Sequence, residues 1–196
     1  MNGKLIILNG ASSSGKSTLS KILQEIFEED FFLMGVDSFM QSMPQRFALV
    51  TPDKFQKDYE PGFIFEYSHN NTLVNINLTN KGLNLIKLMY ATAKNLCLNG
   101  LNVIIDDVIA NSEVEKICNL TLKDINIFRV LVFCDNEVRK QRELNRGDRI
   151  LGTYKIGADF IYSSYEYDYL LDNTNNSLVD DLPTDFISKL NTFLIN

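Results

Sequence analysis

Histidine is almost missing from this sequence, cysteine is scarce, and positive charge is in deficit; each shortage removes a class of function. The single histidine, His69, lies in a polar Ser-His-Asn-Asn stretch, so no histidine-based metal set can be assembled. Cys97, Cys118 and Cys134 are far apart, odd in number and without CxxC spacing. That pattern excludes a disulfide framework and reads as reduced thiols in a cytosolic protein. The apolar run at residues 5–8 is too short for a signal peptide and stops at Asn9-Gly10. No run approaches the roughly 20 residues needed to cross a membrane. A cytoplasmic protein is therefore expected. The net charge of −6 argues against nucleic acid as partner, because such binders present a net basic face. A local cluster of cations could still hold a phosphorylated ligand.

What remains is an ordinary globular composition in 196 residues, enough for one α/β domain with a sizeable core. Residues 4–9 form a short apolar run ending in a Gly/Ser loop, which predicts a buried parallel strand. Helical spacing of Leu19, Ile22, Leu23, Ile26 and Phe27 follows at once. Further strands are predicted at 31–36, 101–105, 127–133 and 167–171, and helices at 81–98, 113–120, 136–145 and 185–194. Residues 63–67 and 73–78 flank His69-Asn70-Asn71, as a β-hairpin or a loop excursion would. Three of the four prolines fall in 38–61, which reads as an irregular or helical segment on the substrate side. Alternation of strand and helix implies a mostly parallel sheet of about five strands, covered by helices on both faces.

Gly10-Ala11-Ser12-Ser13-Ser14-Gly15-Lys16-Ser17, followed by Thr18, matches GxxxxGK[ST] at every fixed position. The glycines let the chain curl until successive N–H groups point at one phosphate. Lys16 adds a point charge for the β/γ oxygens, and the Ser17 hydroxyl can bind Mg²⁺. The context agrees, with an apolar strand before the loop and an amphipathic helix after it. The motif implies binding of ATP or GTP.

Ligands collect at the carboxyl ends of the strands of such a sheet. Asp106-Asp107 closes one strand, where an acid can hold Mg²⁺ directly or through water; helix capping is the competing reading. Asp37 closes another, beside the phosphate loop if the two strands are neighbours. A carboxylate there can take the proton of an attacking hydroxyl, or can instead cap a helix starting at Ser38. Six of the nineteen Lys and Arg lie between 139 and 155. Arg142, Arg146 and Arg149 recur at helical spacing, as arginines of a closing lid would, with Gly147 and Gly152 as a hinge. The alternative is a solvated helix paired to Glu137 and Glu143. Tyr165–Tyr169 alternates like a half-buried strand, and Asn173-Thr174-Asn175 forms a polar loop beyond it, where this class of fold places adenine.

The phosphate loop, Gly35-Val36-Asp37-Ser38-Phe39, Met43-Pro44, NVIIDDV at 102–108, Cys134-Asp135, Arg142-Glu143, Arg146-Gly147-Asp148-Arg149, Tyr167-Asp168 and the Asp172/Thr174 pair together resemble the chloramphenicol phosphotransferase family. The likeness spans roughly residues 4–180. It implies a three-layer P-loop kinase fold in a single domain over 1–196, with a lid at about 139–160 and an acceptor-side segment at about 38–80. It also implies transfer of the ATP γ-phosphate, with Mg²⁺, to a hydroxyl of chloramphenicol or a similar small molecule. Asp37 would be the base; Lys16, Arg142 and Arg146 would assist transfer, and Arg142, Arg149 and Thr174 would contact nucleotide. The pattern departs from the family's at Tyr162, where members carry histidine, and at Phe133, where they carry arginine. A nucleoside or nucleotide kinase and a non-catalytic ATP sensor are the competing readings. The former would need arginines around the acceptor, and 38–61 offers Arg46 with two lysines.

Overall fold

The computed structural model describes residues 2–49, 58–147, 150–163, 166–175, 178 and 182–195. Its centre is β1 (Leu5–Asn9), whose five residues are all fully buried. An apolar strand with no polar face is stable only when both faces are covered, and this one has helices on each side. After the phosphate loop and α1 (Lys16–Ile26) comes β2 (Phe31–Gly35), then α2 (Val36–Gln41). A short 3₁₀ turn (Gln45–Phe47) leads to β3 (Ala48–Leu49), β4 (Phe63–Tyr67), β5 (Leu73–Leu78) and the long α3 (Asn80–Leu98). The chain continues through β6 (Asn102–Asp107), α4 (Ser112–Leu122), β7 (Ile127–Phe133) and α5 (Asn136–Arg146). A second 3₁₀ turn (Thr153–Lys155), α6 (Ala158–Ser163), β8 (Tyr169–Asp172) and α7 (Thr184–Ile195) complete it.

Five parallel strands form the main sheet in the order β2-β6-β1-β7-β8. Because side chains alternate across a strand, β1 feeds two cores. Leu5 and Ile7 join Val103, Ile105 and the inner face of α3 and α4, including Met89, Tyr90 and Cys118. Ile6 and Leu8 join Ile104, Leu19 and Leu23 of α1, and Phe186 and Leu190 of α7. The result is the expected three layers, helix on sheet on helix.

Residues 63–78 form a hairpin, as one of the two sequence readings held, with β4 and β5 antiparallel and a bulge at Glu66/Tyr67. β3 adds to it in parallel, so the small sheet reads β3-β4-β5. Its apolar residues Phe63, Phe65 and Leu73, with Phe47 of the preceding turn, belong to the same core cluster as α3. His69 is exposed at the hairpin tip. All three cysteines are buried and outside any disulfide, and no described helix is long and apolar enough to span a membrane.

Most boundaries shift by a residue or two from the sequence reading, and at two of them side-chain bonds accompany the shift. β2 stops at Gly35, not Val36, because the Ser38 hydroxyl donates to the Gly35 carbonyl at 2.7 Å and accepts from its N–H at 3.2 Å, folding the chain into α2. β8 begins at Tyr169, not Tyr167. The Tyr167 hydroxyl is engaged instead as a brace, accepting from Asn9 Nδ2 at 2.7 Å and donating to the Ile161 carbonyl at 2.9 Å.

Candidate active site

The phosphate loop joins the carboxyl end of β1 to α1, and two of its residues take positive φ: Ser13 at 65° and Gly15 at 107°. A Cβ on Gly15 would also lie 2.2 Å from Asn173 Nδ2, so a replacement would have to displace that side chain as well as strain the backbone. The hydroxyls of Ser12, Ser13 and Ser14 are buried and have no hydrogen-bond partner among the described residues. Buried hydroxyls at these positions can each donate to an anion held in the loop. The first N–H groups of α1 also lack intrahelical acceptors, as at any helix start. The loop is thus chemically suited to a phosphate chain.

Lys16 is 6% exposed. Its ammonium donates to the carbonyls of Gly10 at 2.8 Å and Ala11 at 3.2 Å, and lies 3.8 Å from Asp106 Oδ1. Ser17 Oγ donates to Asp106 Oδ2 at 2.6 Å. A hydroxyl and a carboxylate in contact beside the loop are the hard oxygen donors that Mg²⁺ takes, with phosphate oxygens completing its shell.

Consecutive residues of a strand face opposite ways, and this separates the two acids expected to share metal duty. Asp106 faces α1. Asp107 faces α3, where it is 2% exposed, accepting from the Tyr90 hydroxyl at 2.5 Å and from the Val108 N–H at 2.8 Å. Burial, more than any neighbour, pushes the Asp107 carboxyl up to about 6, with Asp106 adding to the rise and Tyr90 opposing it. The folded chain therefore holds this proton more tightly than the unfolded chain. The resulting stability is fully present below about pH 4 and is lost as pH rises through about 6. The amide of Asp107→Asn mimics the protonated acid, and the gap is worth on the order of 3 kcal/mol. That variant should melt several degrees above the parent at pH 7.5 and level with it only near pH 3, below the unfolded chain's carboxyl pKa. Melting curves across that range check this; a gap independent of pH would contradict it.

Asp37 stands exposed in the first turn of α2, two residues beyond Gly35, which pairs with Asp106 across β2 and β6. Asp37 therefore leaves the sheet at the same edge as the Ser17–Asp106–Lys16 group. The helix start is one residue earlier than the cap expected from sequence, so Asp37 lies inside the helix.

Arg142, on α5, reaches the loop from the other side. Its guanidinium donates to the carbonyls of Ser13 at 3.4 Å, Ser14 at 3.3 Å and Asn173 at 2.7 Å, and touches Cys134 Sγ at 3.2 Å. Asn173 itself donates to the Ser14 carbonyl at 2.8 Å. Thr174 follows, its hydroxyl accepting from the Asp135 N–H at 3.0 Å. The polar loop after β8 is thus packed against the phosphate loop. Arg146 is exposed in the last turn of α5, while Arg149 and Tyr165 lie outside the described residues. Burial, more than any neighbour, raises the Cys134 thiol pKa, against the pull of Arg142 and Arg139.

Glu143 does not form the solvated pair weighed from sequence. It and Arg139 are each 2% exposed, and both are satisfied mainly by backbone. Arg139 donates to the carbonyls of Cys134 and Tyr154, with its guanidinium over the Tyr162 ring; Glu143 accepts from Gly152 and Tyr154. Tyr162 in turn packs on Phe133 with ring centroids 5.0 Å apart. Gly152, expected as a hinge, is wedged: a Cβ there would meet the Leu73 carbonyl at 2.3 Å. Charge spacing along α5 gave no sign of this burial, because an amphipathic charged helix reads as solvated.

The chain is similar to known proteins in both sequence and fold. A family model described as chloramphenicol phosphotransferase-like protein matches residues 3–181. A Mycobacterium tuberculosis (H37Rv) protein named "Putative O-phosphotransferase" is 30% identical over 178 residues, covering 88% of this chain and 76% of that protein. A solved M. tuberculosis APS kinase in complex with AMPPNP and APS superposes with TM-score 0.60 at 13% identity, over 100% of this chain and 99% of the other. A Janibacter sugar kinase does so with TM-score 0.60 at 14% identity, covering 98% and 94%. At such identities the two structures speak for the fold alone.

Proposed function

This chain belongs to the chloramphenicol phosphotransferase-like family and is a kinase-type phosphotransferase; from that premise we propose that it moves the γ-phosphate of ATP to a hydroxyl of a small, chloramphenicol-like acceptor. The observation that carries the reading is the meeting of Lys16, Ser17 and Asp106 at the carboxyl ends of β1 and β6, one strand from Asp37.

In this reading the phosphate loop's N–H groups and the Ser12–Ser14 hydroxyls cradle the nucleotide's phosphates. Lys16 exchanges its bonds to Gly10 and Ala11 for phosphate oxygens. Asp106 and Ser17 would hold Mg²⁺, whose charge, when bound, offsets that of the β/γ oxygens. Asp37 accepts the proton of the acceptor hydroxyl as its oxygen bonds to the γ-phosphorus and the bridging bond to the β-phosphate breaks, releasing ADP. Arg142 fixes the loop from behind, Thr174 lies where the base would rest, and Arg146 would act from the lid.

Arg46 and Lys81 lie over the same Tyr59 ring, at 5.0 and 4.8 Å from its centroid. That pair favours, as a second reading, an acceptor carrying its own phosphate. Incubation with Mg–ATP and a panel of neutral and phosphorylated alcohols, chloramphenicol included, tests both. Gain of one phosphoryl group by mass spectrometry is expected for a neutral aromatic alcohol; gain by phosphorylated alcohols alone would transfer the assignment to the second reading. ADP release without any acceptor product would end both.

A further inference from the structure

Glu143 belongs to a matched motif yet has no part in the chemistry above. Its burial is costly: a carboxylate removed from water is stable only when fully hydrogen-bonded. Among the described residues its partners are two backbone N–H groups, Gly152 to Oε1 at 2.6 Å and Tyr154 to Oε2 at 2.8 Å, rather than a cation. The segment held this way is fastened at its other edge to the small sheet. Leu73, the first residue of β5, donates its N–H to the Leu151 carbonyl at 2.7 Å, and Gly152 lies against the backbone of Leu73 and the side chain of Thr72. One residue before Glu143, Arg142 grips the carbonyls of Ser13 and Ser14. A continuous line of bonds therefore runs from the phosphate loop through one turn of α5 to the hairpin.

We propose that Glu143 is a positioning residue that couples the phosphate loop to the β4–β5 hairpin, so that nucleotide bound at residues 10–17 orders the acceptor side. The inference rests on the nucleotide reading above. When nucleotide draws the loop's amides inward, the Ser13 and Ser14 carbonyls and Arg142 move with them. The rigid turn of α5 passes that displacement to residues 151–154, and the Leu151–Leu73 bond passes it to β5. Coupling of this kind is carried by packed elements and hydrogen bonds with a shared arrangement.

Hydrogen exchange with Mg–AMPPNP as the probe tests it, with binding followed separately by calorimetry. In the parent protein, saturating Mg–AMPPNP should slow exchange of the Leu73 amide at least about 5-fold, the lower scale of coupling between sites. The Val103 amide, bonded to the Lys4 carbonyl, should be unchanged. Glu143→Gln keeps volume but turns an NH₂ toward one of the two N–H donors. In that variant, affinity for Mg–AMPPNP should stay within about 3-fold and the slowing at Leu73 should vanish. A residue that only holds the fold together would lower protection equally with and without nucleotide. Binding without an effect at Leu73 in the parent, or an undiminished effect in Glu143→Gln, overturns the coupling; the parent measurement stands even if the variant does not fold. Absence of any binding overturns the nucleotide reading and this inference with it.

Discussion

Asp37→Asn should lower phosphoryl transfer about 10²- to 10⁴-fold, the usual contribution of a general base, and leave Mg–nucleotide affinity within about threefold. The substitution preserves shape while removing the negative charge and, with it, the capacity to accept a proton. Asp37 is exposed at the start of α2 rather than buried in the sheet, so the core does not enclose its charge. Single-turnover measurements separate the outcomes. A slow chemical step with ordinary nucleotide affinity supports the base; unaltered transfer would show that the hydroxyl loses its proton elsewhere. Raised affinity constants with normal transfer would move Asp37 from chemistry to binding.

Lys16→Ala should have the larger effect still, a loss of at least about 10³-fold in kcat/KM, the scale for a single electrostatic contact to a transferring phosphoryl group. The side chain is nearly buried, and its ammonium is held by two loop carbonyls with Asp106 close by. Removing it leaves those carbonyls to water and Asp106 with Ser17 alone. Lys16→Met, which restores volume without charge, isolates the electrostatic part. Both variants should keep the parent's circular dichroism while losing turnover, and substantial turnover in Lys16→Met would contradict the role assigned to the ammonium.

The sequence announced the main sheet through its apolar runs, and the phosphate loop through residue types that have few other uses together. Both signals are local, which is why they could be read. The division of labour between Asp106 and Asp107 was also within reach, since strand alternation alone sends them to opposite faces; pairing them as joint metal ligands overlooked that period. The β3–β4 pairing was out of reach, because two residues of strand carry no periodicity and their partners are remote. Arg139 and Glu143 were misleading in a different way. Charged side chains four apart on a polar helix normally face water, and only the path of residues 150–155, which passes over them and supplies backbone partners, takes them inside. Asn173 gave a weaker sign: a polar residue closing an apolar strand, whose role against Gly15 depends on the approach of two loops distant in sequence.

The placement of β1 has a bearing on how the chain is made. It is the middle strand of five, yet it precedes both its neighbours, pairing Leu5 with Val103 on one side and with Ile127 on the other. During synthesis, then, β1, apolar apart from Asn9, precedes β6 and β7 and must wait for them before either edge of its backbone is matched. Pairing over such separations is slow, and unpaired apolar strands invite association between nascent chains. Of the strands in the main sheet, β1 is the one whose partners lie farthest along the chain, so its two edges stay open longest.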